Sequence, residues 1–274
     1  FMIDCGEGAQ IQMRRAGISF LKIEHICISH IHGDHIFGLF GLLSTMAMLG
    51  RKSPLNIYAP EGFRTTLDFL REQFGEGFLY EINHIVLDMS EPKLVYENRR
   101  TELLAFPLNH RIDTYGFIIR EKMPQHNVHK DAITRYGLSI AEIGALKRGE
   151  DVVRNDGAEP MVIRNSEAAY IPYTPRSYAY CSDTICLPHI INQIKDVDLL
   201  FHEATFLQAE AARAKETFHT TAEQAAQIAH NASAKQLVIG HFSARYEDES
   251  LLLKEAQQIF PNTVLAKENL RITL

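Results

Sequence analysis

The segment Ser29-His30-Ile31-His32-Gly33-Asp34-His35 restricts this chain more than any other stretch. It places three imidazoles and one carboxylate within six residues. A short apolar run, His25–Ser29, comes just before it, and a glycine-interrupted apolar stretch with helical character, Ile36–Leu49, follows at once. A strand that ends in a loop lets several side chains converge on one point above a sheet. Imidazole and carboxylate are borderline donors suited to Zn²⁺ and its neighbours. An isolated histidine usually packs; this density of ligand types after a strand points to a metal.

Around that segment the pattern alternates strands and helices, which predicts an α/β fold. Strands are expected at His25–Ser29, Leu55–Ala59, Ile82–Leu87, Leu103–Leu108 and Tyr115–Arg120, with helices at Ile36–Leu49 and Gly62–Phe74. Lys122 to about Pro175 is more polar and weakly periodic, with a turn at Asn155-Asp156-Gly157, and reads as an insertion. Alternation then resumes, with strands expected at Tyr178–Ser182, Val197–His202, Leu237–His241 and Asn269–Thr273. Helices are expected at Leu187–Lys195, Phe206–Ala214, Ala222–Asn231 and Asp248–Phe260. No apolar run approaches the ~20 residues that cross a bilayer, so no membrane span is expected. The four cysteines lack Cys-x-x-Cys spacing and no secretory signal is in view, so reduced thiols in a cytoplasmic protein are expected. The net charge of −6 argues against coating nucleic acid along the whole surface, and leaves room for a local basic site.

Crowding four ligands from one short loop around a single ion is poor geometry. Two ions are better, and they need donors from other strand ends. Asn109-His110, Ser182-Asp183-Thr184 and Gly240-His241-Phe242 supply them. On this reading His110 joins His30 and His32, His241 joins Asp34 and His35, and Asp183 bridges.

In order along the chain, Asp4-Cys5-Gly6-Glu7-Gly8, the His30–His35 motif, His110, Asp183 and His241 resemble the metallo-β-lactamase superfamily. Three further segments resemble the ribonuclease Z family, the endonucleases that trim the 3′ end of precursor tRNA. Phe201-His202-Glu203-Ala204-Thr205 is similar to its His-Glu-Ala-Thr element. Phe218-His219-Thr220-Thr221 is similar to its His-Ser-Thr element with Thr for Ser, and Gly240 to Tyr246 to its last motif. The resemblance spans essentially the whole chain.

The resemblance implies an αββα sandwich of two mixed sheets with helices outside, residues 1–274, carrying an inserted tRNA-binding arm at residues 120–175. The family's N-terminal strand and glycine-bearing loop are expected before Phe1, so this chain is expected to lack them. Two divalent ions per chain, zinc foremost, would lower the pKa of an attacking water. Asp34 would take the water's proton as well as ligate, and His219 with Glu203 would supply a proton to the leaving ribose oxygen. Asp4 would hydrogen-bond the metal-binding loop, with Gly6 and Gly8 allowing close approach. Thr221 would cap the helix that begins near Ala222.

Ser243 and Arg245, just after His241, would contact the scissile phosphate. Lys147 and Arg148, with Arg154, would serve as the arm's basic tip, although eight Lys/Arg against seven Asp/Glu between Arg120 and Arg164 make the arm only marginally basic. The implied partners are precursor tRNA and, for this short form, a second copy in a homodimer. Competing readings are another enzyme of the superfamily, such as a lactonase, thioesterase or small phosphodiesterase, and a silent subunit. The His202–Thr205 and His219 elements and the arm oppose the former, and the complete donor set opposes the latter. The histidines matching no motif (His25, His84, His126, His129, His189, His230) are assigned to surface or packing, as is His202.

Overall fold

The computed structural model describes residues 1–74, 78–155, 157 and 159–274, in two compact units. Unit one comprises residues 1–97, 103–119 and 177–274; unit two comprises residues 98–102 and 120–176.

Unit one is built on two sheets. The first orders its strands Met2–Ile3, His25–Cys27, Leu55–Pro60 and Ile82–Leu87, with all three ladders parallel where mixed pairing is expected from the resemblance. The second has seven strands, in spatial order Thr263–Leu265, Gln236–Gly240, Leu199–Glu203, Ser177–Cys181, Thr114–Glu121, Thr101–Leu108 and Lys93–Glu97. The first four of these run parallel.

The sandwich follows from strand periodicity, since successive side chains point to opposite faces. In Thr101–Leu108, Leu103 and Ala105 join Cys27, Tyr58, Leu87, Tyr115 and Phe117 in a layer between the sheets. The alternate residue Phe106 turns the other way, into the core beneath the helices of the second sheet. In the first sheet Ile26, Ile28, Ile57 and Ala59 face helices Gly33–Met48 and Phe63–Phe74. Helix Gly33–Met48 buries Ile36, Leu39, Leu43 and Met46 along one stripe. It ends where Gly50 takes φ +78° and the Arg51 amide donates to the Met46 carbonyl, a C-terminal cap that fits glycine.

Several expected boundaries move. The final strand is Thr263–Leu265, paired with Gln236–Gly240, and the expected strand Asn269–Thr273 is not formed. Asn269 has φ +62°, which no regular strand accommodates. The helix expected at Phe206–Ala214 begins at Ala211, because Phe206 bridges Thr221 and its carbonyl accepts from the Ala222 amide at 2.8 Å. The helix expected at Leu187–Lys195 is a 3₁₀ turn, Pro188–Asn192. Helix Ala222–Asn231 starts as expected on Thr221, in a capping box with Gln224.

Unit two has its own small core of Ala132, Leu138, Leu146, Val152, Ile163, Ala168 and Ala169. Helices Lys130–Tyr136 and Ile140–Lys147 and hairpin Val152–Arg154/Met161–Ile163 surround it. The Ser139 hydroxyl and Glu142 close a capping box that starts the second helix. Part of the expected turn Asn155-Asp156-Gly157 lies outside the described residues.

Candidate active site

The C-terminal ends of parallel strands share one edge of a sheet, where α/β folds place their chemistry. The strand His25–Cys27 runs on through Ser29 into His30. Ser177–Cys181 leads to Asp183, Leu199–Glu203 ends on Glu203, and Gln236–Gly240 leads to His241. His110 follows the strand end at Leu108.

These ends bring the predicted donors into two groups. His30, His32, His110 and Asp183 each offer an atom within 4.8 Å of the others, and Asp34, His35 and His241 do the same. Asp183 faces both groups. Its Oδ2 lies 3.8 Å from His30 Nε2 and 3.9 Å from His110 Nε2. Its Oδ1 lies 3.6 Å from His35 Nε2 and 3.4 Å from His241 Nε2.

On His30, His35, His110 and His241 the remote Nδ1 is engaged elsewhere, which fixes the ring and turns Nε2 inward as a lone-pair donor. His30 Nδ1 meets the Ser29 hydroxyl at 3.0 Å and His35 Nδ1 meets Asp4 Oδ2 at 2.8 Å. His110 Nδ1 donates to the Phe218 carbonyl at 3.0 Å, and His241 Nδ1 lies 3.1 Å from the Thr205 hydroxyl. Facing ring nitrogens 3.0 Å apart on His30 and His32 complete the first group. Two imidazole clusters joined by a buried carboxylate, with four of the five outer ring nitrogens anchored, fit divalent cations.

Asp4 ties this loop together. Its carboxylate accepts from the Ser29 amide at 2.7 Å, the Ser29 hydroxyl at 2.8 Å and the Tyr180 hydroxyl at 3.0 Å, besides meeting His35. Asp4 and His241 both hold φ in the left-handed region, +52° and +61°, a cost of roughly 1–3 kcal/mol that persists where surroundings over-determine it. A Cβ at Gly6 would stand 2.2 Å from the Asp34 carbonyl, so only glycine lets the opening loop reach the helix carrying Asp34.

Without cations the charges sort themselves by neighbourhood. Burial and then the adjacent imidazoles of His35, His32 and His110 push His30 down to about 2. Burial opposes the charge on His241, but its bond to Asp34 and the charges of Asp183 and Glu203 win and push it up to about 9. The His241 bond holds the Asp34 carboxyl far below the usual range.

Glu203 is fully buried and every lone-pair site is filled. It accepts from the amides of Thr184 and Thr205 at 3.0 and 3.1 Å and the Thr205 hydroxyl at 2.8 Å, and it pairs with His219 Nδ1 at 2.9 Å. Burial raises its carboxyl, but these bonds, His219 first, bring it below the ordinary value. Glu203 therefore orients His219, whose Nε2 is the atom left for other work. An atom of His219 also lies within 4.8 Å of donors on Asp183 and His241.

Thr205 is a residue the sequence reading did not single out. Its hydroxyl touches Glu203, the ring and carbonyl of His241 and, at 3.3 Å, His219. The threonine in the His202–Thr205 segment is its only sequence signal. Buried His202 gives Nδ1 to the Glu203 carbonyl at 2.7 Å, in keeping with a packing role.

The Ser243 amide donates to the Thr205 carbonyl at 3.1 Å, and Arg245 is exposed with no ion pair among the described residues. In unit two, Arg148 forms a two-point pair with Glu150, and Arg154 is tied to Glu142 and the Tyr136 carbonyl. Lys147 lines a polar cavity of about 510 Å³ together with Arg99 and Arg100, two cations the sequence reading did not connect with it.

A sandwich of two sheets whose strand ends converge on paired His/Asp clusters defines a hydrolase of the metallo-β-lactamase fold. The short form of human tRNase Z (ELAC1) superposes with a TM-score of 0.65 at 26% identity, covering 99% of this chain and 86% of that one. YhfI of Bacillus subtilis, described as a metallo-β-lactamase fold protein, gives 0.63 at 18% identity over 97% and 84%. The family model of anti-Pycsar protein Apyc1 matches residues 1–123. Ribonuclease Z of Phocaeicola vulgatus is 50% identical over all 274 residues, which span 88% of that protein, and ribonuclease Z of Parabacteroides distasonis is 46% identical over 100% and 89%. The chain belongs to the ribonuclease Z family.

Proposed function

We propose that this chain is a metal-dependent endoribonuclease that removes the 3′ trailer of precursor tRNA and leaves a 3′-hydroxyl on the tRNA. The observation that carries the reading is the pair of buried Glu203 and half-buried His219 beside the donor cluster, within a chain half identical to ribonuclease Z along its whole length. A lactonase has no poor ribose leaving group to protonate. The Apyc1 match ends at residue 123, before Glu203 and His219, so it speaks for the shared first half only.

The ligands would be His30, His32 and His110 for one ion and Asp34, His35 and His241 for the other, with Asp183 shared; histidine-rich donors at this density favour zinc. When bound, such ions lower the pKa of water and draw charge from a phosphoryl oxygen. The chain's own residues do the rest. Asp34, with its side chain two-thirds exposed, would accept a proton from the attacking water. His219 gives a proton from Nε2 to the departing 3′ oxygen, while Glu203 stabilises the imidazolium before transfer. Ser243 and Arg245 contact the phosphate from the loop after His241.

Unit two is the tRNA-binding arm. Lys147 acts there with Arg99 and Arg100, and Arg148 contributes only by leaving Glu150. Phosphate contacts of this kind read shape rather than sequence. The reading carries with it a cytoplasmic homodimer; exposed Ile11 and Phe37, on helices Ala9–Arg15 and Gly33–Met48 that pack together, supply apolar surface for such pairing. No helix among the described residues is long and apolar enough to cross a membrane.

The test is incubation with a precursor tRNA carrying a 3′ trailer and mapping of the cut. A single cut at the junction of tRNA and trailer, lost in Asp34→Ala and His241→Ala proteins of unchanged circular dichroism, is expected. Unchanged turnover in either variant overturns the ligand assignment.

A further inference from the structure

Beside His219 the surface of unit one opens into a cavity of about 380 Å³, within the ~300–1,000 Å³ range of small-molecule sites. His219 is the one side chain this cavity shares with the donor cluster. Ile185 and Cys186, the second and third residues after Asp183, line one side. The Ile185 amide donates to the Asn109 carbonyl at 3.0 Å, which holds that side to the strand end bearing His110. Ala211 and Ala212, on helix Ala211–Thr217, add methyl groups to the lining. Lys215, one turn further along, adds an exposed ammonium. Gln224 spends its carbonyl oxygen on the Thr221 amide at 3.1 Å, so its amide nitrogen remains as a donor.

We infer that this cavity receives the last nucleoside of the tRNA, the one whose 3′ oxygen leaves; the inference rests on the ribonuclease reading above. Hydrolysis forms a bond from water oxygen to phosphorus and breaks the bond from phosphorus to O3′. The electron pair of the broken bond goes to O3′, which takes one proton, while the water gives up one. With Nδ1 held by Glu203, His219 can reach O3′ only through Nε2. The ribose carrying that oxygen must therefore lie against His219, and its base falls within one sugar's reach, over the cavity.

The lining fits an unpaired base in chemistry as well as place. Ile185, Cys186 and two alanine methyls offer an apolar surface to the flat face of a base, with the Gln224 amide nitrogen and the Lys215 ammonium as polar groups on the same lining. Such a surface accepts any of the four bases through its flat face, as sequence-tolerant single-strand sites do. Lys215 stands where it can meet the phosphate on the 5′ side of that nucleoside. The trailer, which keeps the cleaved phosphate, lies on the other side of the scissile bond. The subsite thus selects for the presence of a nucleoside at the tRNA terminus.

Cys186 makes the inference testable, because it is half-buried while the other three cysteines are buried. The metal-loaded full chain is treated with N-ethylmaleimide and modification of Cys186 is followed by peptide mass. Two tRNAs are compared at saturation, one ending at the nucleoside after the acceptor stem and one lacking that single nucleoside. Ala212→Cys in a Cys186→Ser background supplies a second thiol on the exposed side of the same cavity. The longer tRNA is expected to slow modification at both positions about fivefold or more, the low end of what stacking one base contributes, and the shorter one hardly at all. Equal protection by both tRNAs, or by neither, overturns the subsite when fluorescence anisotropy shows both bound. Failure of both to bind overturns the ribonuclease reading itself.

Discussion

Replacing Thr205 by valine keeps the branched shape of the side chain and removes only the hydroxyl. A neutral His241 has one ring proton, and an ion taking Nε2 forces that proton onto Nδ1. The acceptor facing Nδ1 is the Thr205 hydroxyl at 3.1 Å, which spends its own proton on Glu203 at 2.8 Å. Valine would set a methyl against the imidazole N–H and leave a donor unpaired in a site that is 29% exposed at the His241 side chain. An unsatisfied buried donor costs ~1–3 kcal/mol. Loss of the outer partner of a ligating histidine weakens metal binding by ~10–100-fold, about 1.4–2.7 kcal/mol, so the two magnitudes overlap. The assay is competition with a chelator of known affinity, following the more weakly held ion per chain. Thr205→Val should lose affinity by about that factor and Thr205→Ser should restore most of it. Affinity within about twofold of the unchanged protein in the valine variant would refute the claim that Thr205 holds His241.

His219→Ala should lower kcat for precursor tRNA by ~10²–10⁴-fold, with far less effect on a phosphodiester of p-nitrophenol, whose leaving group needs no proton; equal losses on both substrates would remove His219 from the acid role. Deleting residues 130–158 should raise KM for precursor tRNA by about tenfold or more and leave a small phosphodiester nearly untouched, since only the RNA spans several phosphates; steady-state kinetics on both substrates decides it. Metal affinity should rise by about tenfold per pH unit from pH 6 to 8. The sign follows from His241, protonated up to about 9 when metal-free, because the ion must displace that proton. The same chelator competition, repeated across pH, would contradict this if affinity stayed flat.

The donor set was legible because its ligands sit at strand ends or, for Asp34 and His35, in the helix turn that follows one, and strand ends can be read from short apolar runs that stop at polar residues. The unbroken apolar run Leu103–Phe106 likewise announces a strand with two covered faces. Other features are products of tertiary pairing. Tyr180 reaches Asp4 across 176 residues, and nothing local in either segment encodes that bond. Asn269–Thr273 has as good a strand pattern as Thr263–Leu265, but the edge of the sheet is already taken by the latter in register with Leu237–Ile239. Thr205 is invisible for another reason: one hydroxyl among four partners has no periodicity. Arg99 and Arg100 fall in a tight turn after Asn98, whose side chain accepts from the Arg100 and Thr101 amides at 2.7 and 2.8 Å, and only the folded chain places them beside Lys147.

Phe218 closes helix Ala211–Thr217 in the left-handed conformation, φ +62°, where glycine would be cheaper by roughly 1–2 kcal/mol. Its carbonyl holds His110, and its peptide bond leads directly into His219. One bend in the backbone is thus geared at both ends, to a metal ligand on one side and to the proton donor on the other. The helix it terminates also carries Ala211, Ala212 and Lys215. Linkage makes any such gearing reciprocal: by whatever factor a seated ion alters the hold on RNA at that helix, seated RNA alters the hold on the ion by the same factor.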